Sequence, residues 1–374
     1  MVWYGGGIPY GIKKKNECCN NQHYITMRKK LLFSLALAVL GTNLCAQTKT
    51  IVPVPSIHPN AYQREQIDRK YGMFVHFGMN TFHDQEWTDG SKPASSYAPS
   101  AIEVKQWVST AKEAGMKYMI LVTKHHEGFC LWDSKYTDYD VASSSNATNV
   151  VQELAKECAK QGMRLGLYYS LWDRKQNPNV KDMSADAAYN QYMLNQLNEL
   201  VDITKKYTDI VELWLDGGWE KENYRWPTQA IYNLIKKKVT GCQIGINWSI
   251  GSPENTDKHI VLPKDQQNYY PIRYFPSDFR LGDPYLPINP DPKLFIAQGN
   301  TYYMPFETTV VLGERWFYNT TDKKYKSLEE LAGIYQTATA QDNILILNVG
   351  PNRMGRIKDS DVDILRKLKD KLKL

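Results

Sequence analysis

Short strand-like runs alternate with amphipathic helical stretches along most of this chain. Tight turns cannot join parallel strands and a helix usually does, so the alternation predicts an α/β fold. Strands are predicted at residues 71–78, 118–126, 163–170, 210–216, 243–249 and 343–351. Helices are predicted at residues 102–115, 149–162, 184–207, 228–238, 327–338 and 358–372. So many strand–helix units favour a (β/α)8-type, TIM-like barrel as a single catalytic domain.

One predicted strand, at residues 210–216, ends in a way that points to chemistry. Leu213 and Leu215 share one face of this strand, and Trp214 and Asp216 share the other. Two glycines stop the strand, which leaves Asp216 at its carboxyl end, where parallel α/β folds keep their reactive groups. An aspartate beside tryptophans at such a place indicates a sugar-cleaving nucleophile. An aspartate that caps a loop is the simpler alternative.

Length and composition limit what the chain can be. Its 374 residues suffice for one large barrel or two ordinary domains. The net charge of +6 is concentrated in residues 1–47, which carry six lysines or arginines and one glutamate. The remainder is close to neutral, so no nucleic acid partner is predicted. The aromatic share of 12%, with 25 Tyr and 10 Trp, is typical of surfaces on which sugar rings stack.

The start of the chain has the pattern of a signal peptide. A basic segment beginning at Met27 precedes the apolar residues 31–41, and a cut is predicted between Ala46 and Gln47. The apolar run is too short to span a bilayer, so no membrane span is predicted. Residues 1–46 are therefore predicted to be an upstream extension plus signal peptide, with Met27 as the true start. Residues 47–374 would form the barrel domain of an exported protein, periplasmic or secreted.

The same leader has two weaker interpretations, a buried first helix or a lipoprotein anchor on Cys45.

Residues 250–300, rich in Pro, Asp and Tyr, are predicted to form long loops, so the barrel is expected to be irregular. Three scattered cysteines would follow the predicted cut, namely Cys130, Cys158 and Cys242. They form neither a disulfide framework nor a metal cluster, and a large core is expected to stabilise the protein.

In a barrel, the carboxyl ends of the strands meet around one pocket. The side chains predicted to meet there are His76, Glu86, Trp87, His125, His126, Tyr168, Trp214 and Asp216. A sugar presents hydroxyls at its edge and C–H groups on its faces, so rings that stack or hydrogen-bond suit it. His125 and His126 could also be metal ligands, but neighbours on a strand point to opposite faces and no third ligand is near. No metal or cofactor is therefore predicted.

Six short blocks of sequence, in a fixed order along the chain, contain the residues of this pocket. They are His76-Phe77-Gly78, Glu86-Trp87, residues 124–132 (Lys-His-His-Glu-Gly-Phe-Cys-Leu-Trp), residues 166–170 (Gly-Leu-Tyr-Tyr-Ser), residues 213–217 (Leu-Trp-Leu-Asp-Gly) and residues 345–351 (Leu-Ile-Leu-Asn-Val-Gly-Pro). Over roughly residues 60–372 the chain resembles glycoside hydrolase family 29, the α-L-fucosidases.

The resemblance implies a retaining exo-hydrolase that removes terminal α-linked L-fucose from glycans without a metal. By this resemblance Asp216 matches the nucleophile, which forms a covalent glycosyl-enzyme. The positions that match residues holding the fucose ring are His76, Glu86, Trp87, His125, His126, Tyr168 and Trp214. The implied partner is a fucosylated oligosaccharide or glycan, and the oligomeric state is left open.

A retaining glycosidase uses two carboxyl groups about 5–5.5 Å apart. Asp216 must be ionised, so neighbouring donors are expected to hold its pKa low. Its partner must carry a proton near neutral pH, so a drier environment is expected to raise that group's pKa.

The second carboxyl group, the general acid and base, has three candidates. In the family this residue comes from loops after the nucleophile and is poorly fixed in sequence. Glu254 is preferred, because it follows a predicted strand and lies 38 residues beyond Asp216. Glu307 is second, because it matches a Trp-Glu block that precedes an aromatic stretch, here residues 316–318. Asp283 is third, in a loop where some members have a glutamate.

Two other functions stay open at this point. A degenerate barrel could bind fucose without cleaving it, although Asp216 and the histidines are all present. A retaining hydrolase for a sugar of similar shape, such as a galactoside, would need room for the 6-hydroxyl that fucose lacks. Trp316 and Phe317 are candidate walls around the fucose methyl group.

Overall fold

The structure is a computed structural model of the 374-residue chain. It describes residues 50–176, 183–221, 224–251, 267–283 and 285–374, without the side chains of residues 183–186. The predicted leader, its cleavage site and Glu254 lie outside the described residues. Within them, no helix has the length and apolar character needed to cross a membrane.

Eleven strands are described. They are β1 (Tyr71–Val75), β2 (Tyr118–Lys124), β3 (Arg164–Ser170), β4 (Ile210–Asp216), β5 (Gln243–Ile246), β6 (Tyr270–Pro271), β7 (Arg280–Gly282), β8 (Leu294–Ala297), β9 (Asn300–Tyr303), β10 (Phe306–Val311) and β11 (Ile344–Val349). Eight of them form one sheet in the order β5-β4-β3-β2-β1-β11-β10-β7. All pairs of neighbours in this sheet are parallel.

Helices follow most of the barrel strands. They are α1 (Ala61–Arg69), α2 (Met79–His83), α3 (Val104–Glu113), α4 (Val150–Gln161), α5 (Met183–Thr204), α6 (Thr228–Lys238), α7 (Leu328–Ala338) and α8 (Asp359–Leu372). Their ends follow from local chemistry. The Asn149 side chain caps α4 by accepting the backbone N–H of Gln152, and Gly162 ends the helix in the left-handed conformation.

The sheet closes into a barrel where β5 meets the entry to β7. Gly245 of β5 bridges to Phe279 in parallel, and the N–H of Asp278 donates to the carbonyl of Ile244 at 2.7 Å. Gly245 is needed at this point, because a Cβ there would lie 2.5 Å from the Phe279 ring. The predicted α/β barrel is thus confirmed.

Alternating side chains fill the inside and the outside of the barrel. The interior is one buried apolar cluster, formed by Phe74, Tyr118, Ile120, Val122, Tyr168, Trp214, Phe279, Leu281, Ile344 and Ile346. Leu213 and Leu215 face outward and pack in the larger core beneath the helices. The face assignment predicted for β4 is therefore confirmed, and Asp216 ends the strand on the interior side.

The prediction of long loops at residues 250–300 is wrong for the part that the structure describes. Barrel strand β7 lies there, as do β6, β8 and the first residue of β9, and these last three strands form a separate sheet. In the described residues strands β8 and β9 of this small sheet, rather than a helix, link β7 to β10. The irregularity expected of the barrel is found at this point.

Two buried glutamates meet inside the barrel near the amino ends of its strands. Glu212 of β4 and Glu307 of β10 hydrogen-bond to each other, and the Tyr118 hydroxyl donates to Glu307 Oε2 at 2.8 Å. Arg69 lies 3.5 Å from Glu212, and Gln66 donates to it at 3.2 Å. Burial and the partner carboxyl raise the pKa of Glu307 well above its usual value, so this pair retains a proton.

This pair makes the free energy of unfolding depend on pH. A carboxyl whose pKa is raised on folding contributes stability below its unfolded pKa and loses it as the pH rises through the folded pKa. Replacing Glu307→Gln keeps a donor for Glu212 but cannot ionise. We expect the variant to gain stability relative to wild type as the pH rises from about 5 to about 8.

Urea unfolding at several pH values measures this difference. Glu65→Gln, at an exposed position of α1, is the matched control and should follow the wild-type curve. If the free energy of unfolding changed with pH in the same way for wild type and Glu307→Gln, no shared proton would link the two carboxyl groups.

Candidate active site

Asp216 lies at the carboxyl end of β4, at the centre of the pocket. Tyr168 of β3 donates its hydroxyl to Asp216 Oδ2 at 2.7 Å, and Asn247, just after β5, donates Nδ2–H to Oδ1 at 3.1 Å. Gly217 then turns the chain with φ of 76°, and a Cβ there would crowd His126 and Trp172 at 3.0–3.1 Å. Both carboxylate oxygens are therefore fixed before any substrate arrives.

The electrostatics of Asp216 differ from the expectation. Burial raises the pKa of this carboxyl above its usual value, and the donors Tyr168 and Asn247, with the nearby His125, only partly oppose that effect. The prediction that donors would hold the pKa low is wrong, because desolvation outweighs them. An ionised Asp216 is thus poorly solvated.

His125 and His126 both reach the pocket, contrary to the argument that they would point to opposite faces. Strand β2 ends at Lys124, and the two histidines lie in the turn beyond it with ring centroids 4.1 Å apart. His126 Nε2 lies 3.6 Å from Asp216 Oδ2. His125 stacks on the Tyr168 ring at 5.8 Å.

The hydrogen-bond network indicates the tautomer of His126. Its Nδ1 lies 2.7 Å from the Ser170 hydroxyl, which donates its own proton to the carbonyl of Trp172 at 2.6 Å. Nδ1 therefore carries the ring proton and Nε2 is an acceptor. Burial and the neighbouring His125 lower the pKa of His126, which keeps the imidazole neutral. Such a ring can accept a hydrogen bond from a sugar hydroxyl.

His76, just after strand β1, which neighbours β2, has the same character. Its Nδ1 lies 2.6 Å from Asn348 Oδ1, while Asn348 Nδ2 donates to the carbonyl of Trp316 at 2.8 Å. The amide oxygen must accept, so His76 donates from Nδ1 and leaves Nε2 as an acceptor. Burial and His125 lower the pKa of His76. The Phe317 ring packs against His76 at 5.2 Å.

Glu86 and Trp87, in the loop after α2, lie at the rim. Glu86 accepts the backbone N–H of Trp316 at 2.9 Å, and burial raises the pKa of its carboxyl. The Trp87 ring meets the edge of His126 at 5.6 Å and is 46% exposed. A ring so exposed at the pocket mouth can stack on an incoming sugar.

Trp214 does not line the pocket in the way that the resemblance implies. Its side chain is 1% exposed in the barrel interior, where it stacks on Tyr168 at 5.4 Å and contacts Phe74. It lies one layer below Asp216, so a sugar would meet Trp214 only through Tyr168. Trp214 therefore fills the interior of the barrel.

Of the two candidate proton donors within the described residues, Asp283 is the one whose charge interacts with that of Asp216. Asp283 directly follows β7, and burial together with the charges of Asp216 and Glu86 raises the pKa of its carboxyl well above the usual value. Its side chain is still partly exposed. Glu254 lies outside the described residues.

The position of Glu307 contradicts the prediction that it is a candidate proton donor. Glu307 is the second residue of β10 and contacts Glu212, near the amino ends of the strands. Glu212 precedes Asp216 by four residues, a rise of roughly 13 Å along a strand. That separation far exceeds the spacing of the two carboxyl groups in a retaining glycosidase.

Two features of the site were missed from the sequence. Asn247 follows β5 as Asp216 ends β4, and its position in the predicted strand 243–249 could have identified it. The buried ion pair of Lys124 with Asp173, at 2.9 Å, fixes the turn that carries the histidines. Among the described residues, no three His, Cys, Asp or Glu side chains could together hold a metal ion.

Comparison with known proteins bears on this geometry. A family model described as Alpha-L-fucosidase matches residues 45–374. Alpha-L-fucosidase 1 of Arabidopsis thaliana is 32% identical over 334 residues, which cover 86% of this chain and 60% of the relative. A relative from Oryza sativa subsp. japonica is also 32% identical, with 84% of this chain and 58% of the relative covered. The chain thus spans less than two thirds of the length of these curated relatives.

A solved structure gives the same result for the fold. A glycoside hydrolase 29 family member from an unknown rumen bacterium is 27% identical and superposes with a TM-score of 0.64. The match covers 86% of this chain and 57% of the other.

The donor from Tyr168 gives a test of the site. Tyr168→Phe removes a hydrogen bond to the ionised form of Asp216, so its pKa should rise further. The acidic limb of the kcat/KM profile for an aryl α-L-fucoside should then move up by about one pH unit. Tyr169→Phe is the control, since the Tyr169 hydroxyl donates to Gln196 instead. An unmoved limb in Tyr168→Phe would separate this hydroxyl from the titration of Asp216.

Proposed function

Because the chain belongs to the α-L-fucosidase family, we propose that it is a retaining exo-α-L-fucosidase that removes terminal α-linked L-fucose from fucosylated glycans. One observation carries the proposal. A buried aspartate, oriented by Tyr168 and Asn247, lies 3.6 Å from the neutral His126 and within the electrostatic influence of a second, proton-holding carboxyl group. Those are the groups that double displacement requires.

In the first step Asp216 attacks the anomeric carbon of fucose. The new C–O bond forms as the bond to the leaving-group oxygen breaks, and that oxygen takes the proton of the general acid. Positive charge develops on the sugar ring, so a poorly solvated carboxylate stabilises the transition state strongly. The product of this step is a glycosyl-enzyme on Asp216.

In the second step water releases fucose. The general acid is now a carboxylate and takes a proton from a water molecule. The oxygen of that water bonds to the anomeric carbon as the bond between this carbon and Asp216 breaks. The acceptor nitrogens of His76 and His126 would hold ring hydroxyls through both steps. Trp87 would stack on the sugar at the pocket mouth.

We assign the general acid to Asp283 among the described residues, with Glu254 as the alternative. The support for Asp283 is its place after β7 and a pKa raised by burial and by the charges of Asp216 and Glu86. A raised pKa keeps the proton on the donor near neutral pH. Glu254 would have to come from the loop after β5.

We also propose that the protein is exported to the periplasm or secreted, with cleavage between Ala46 and Gln47. The support is the basic segment from Met27 followed by an apolar run. Amino-terminal sequencing of the protein from the extracytoplasmic fraction tests the site. A mature chain that retained Met27 would contradict it.

The nucleophile is tested by Asp216→Ala. Turnover of an aryl α-L-fucoside should fall by about four orders of magnitude or more, because no covalent intermediate can form. Added azide should restore part of the rate and give the β-fucosyl azide, since azide replaces the carboxylate on the same face. An unchanged melting temperature confirms the fold. Wild-type rates from this variant would remove Asp216 from the role.

The general acid is tested by Asp283→Ala and Glu254→Ala in parallel. The true donor's variant should lose about 10²–10⁴-fold on a fucosyl disaccharide. It should lose far less on α-L-fucosyl fluoride, whose leaving group needs no proton. Azide should rescue it with retention, as the α-fucosyl azide. Glu307→Gln is the control and should show neither signature.

A further inference from the structure

Three aromatic rings form an arc along one side of the pocket. They come from the carboxyl ends of three neighbouring barrel strands: Trp219 after β4, Trp248 after β5 and Tyr285 after β7. The Trp219 and Trp248 centroids are 5.8 Å apart, and those of Trp248 and Tyr285 are also 5.8 Å apart. Trp219 in turn meets His126 at 6.4 Å. The arc therefore runs from a proposed sugar-binding histidine outward to the rim.

Trp248 is held in place by Asn247, the residue that also hydrogen-bonds to Asp216. It has φ of 62°, a conformation that a bulky side chain rarely adopts and that persists only where its surroundings enforce it. The Asn247 side chain supplies that enforcement, because its oxygen accepts the Trp248 N–H at 3.1 Å while its nitrogen donates to Asp216. The Trp248 ring and the Asp216 carboxylate thus keep a fixed relation.

Tyr285 is the exposed end of the arc and the part that a substrate can touch. Its side chain is 36% exposed, against 7% for Trp219 and 9% for Trp248. The Thr308 hydroxyl of β10 donates to its backbone carbonyl, which anchors this position to the barrel. Tyr285 lies two residues beyond Asp283, the carboxyl group that we assign as proton donor.

We propose that Tyr285, backed by Trp248, is the platform on which the leaving-group sugar stacks, and that it selects glycans whose fucose is attached to a pyranose. The inference rests on the proposed fucosidase function and deepens it. A general acid protonates the leaving-group oxygen, so the groups beside the acid meet the leaving group rather than fucose. A ring backed edge-on by a second ring presents its free face to the C–H face of a pyranose.

Two substrates separate the platform from the chemistry. A fucosyl disaccharide with a pyranose leaving group would stack on Tyr285, whereas the fluoride of α-L-fucosyl fluoride is too small to reach it. Tyr285→Ala should lower kcat/KM for the disaccharide roughly 3- to 10-fold and leave the fluoride substrate unchanged. Tyr285→Phe, which keeps the ring, should retain the wild-type preference.

Tyr207→Ala is the matched control. Tyr207 is 37% exposed and lies just before β4, at the opposite end of the barrel. The kcat/KM of Tyr207→Ala should equal that of wild type for both substrates. If Tyr285→Ala loses equal activity on both substrates, or loses none on the disaccharide, the platform is overturned. If wild type fails to hydrolyse fucosyl fluoride, the fucosidase function itself fails and the platform with it.

Discussion

The parallel register of β3, β4 and β5 is the constraint on which the site depends. Ser170 pairs with Asp216 across the first ladder, and the backbone N–H of Asn247 bonds to the carbonyl of Leu215 at 2.8 Å across the second. Three neighbouring strand ends therefore place Ser170, which orients His126, Asp216 and the amide donor Asn247 side by side. A slip of one residue would turn Asp216 outward and break all three relations together.

Burial has different consequences at the two ends of the same barrel. Near the amino ends, Glu212 and Glu307 share a proton, and Arg69 and Tyr118 complete their hydrogen bonds. Near the carboxyl ends, burial raises the pKa of Asp216, and burial together with the charge of Asp216 raises the pKa of Asp283. The first pair has nothing left to react with and is structural. In the proposed mechanism, the second pair keeps one charge and one proton, which is the arrangement that acid-assisted attack needs.

The sequence predicted an element best where a clear periodic pattern ends at residues that break a helix or a strand. Strand Ile210–Asp216 and helix Thr228–Lys238 match their predicted bounds, because alternation or helical spacing ends there in clear breakers. Strand β10 was missed, because its interior positions include Glu307 and Thr309 rather than an apolar series. That omission also explains the error on Glu307. Without the strand, nothing in the sequence showed that this glutamate begins a strand while Asp216 ends one.

The neutral histidines complete the argument for the chemistry. A positive charge on His126 would lie 3.6 Å from Asp216 Oδ2 and would stabilise the carboxylate in its resting state. Such stabilisation is lost as the carboxylate gives up its charge to form a bond, so it would slow the attack. Burial instead lowers the pKa of both His76 and His126. In the proposed mechanism, the pocket thus offers hydrogen-bond acceptors to the sugar and leaves the developing positive charge on the ring as the main partner of Asp216.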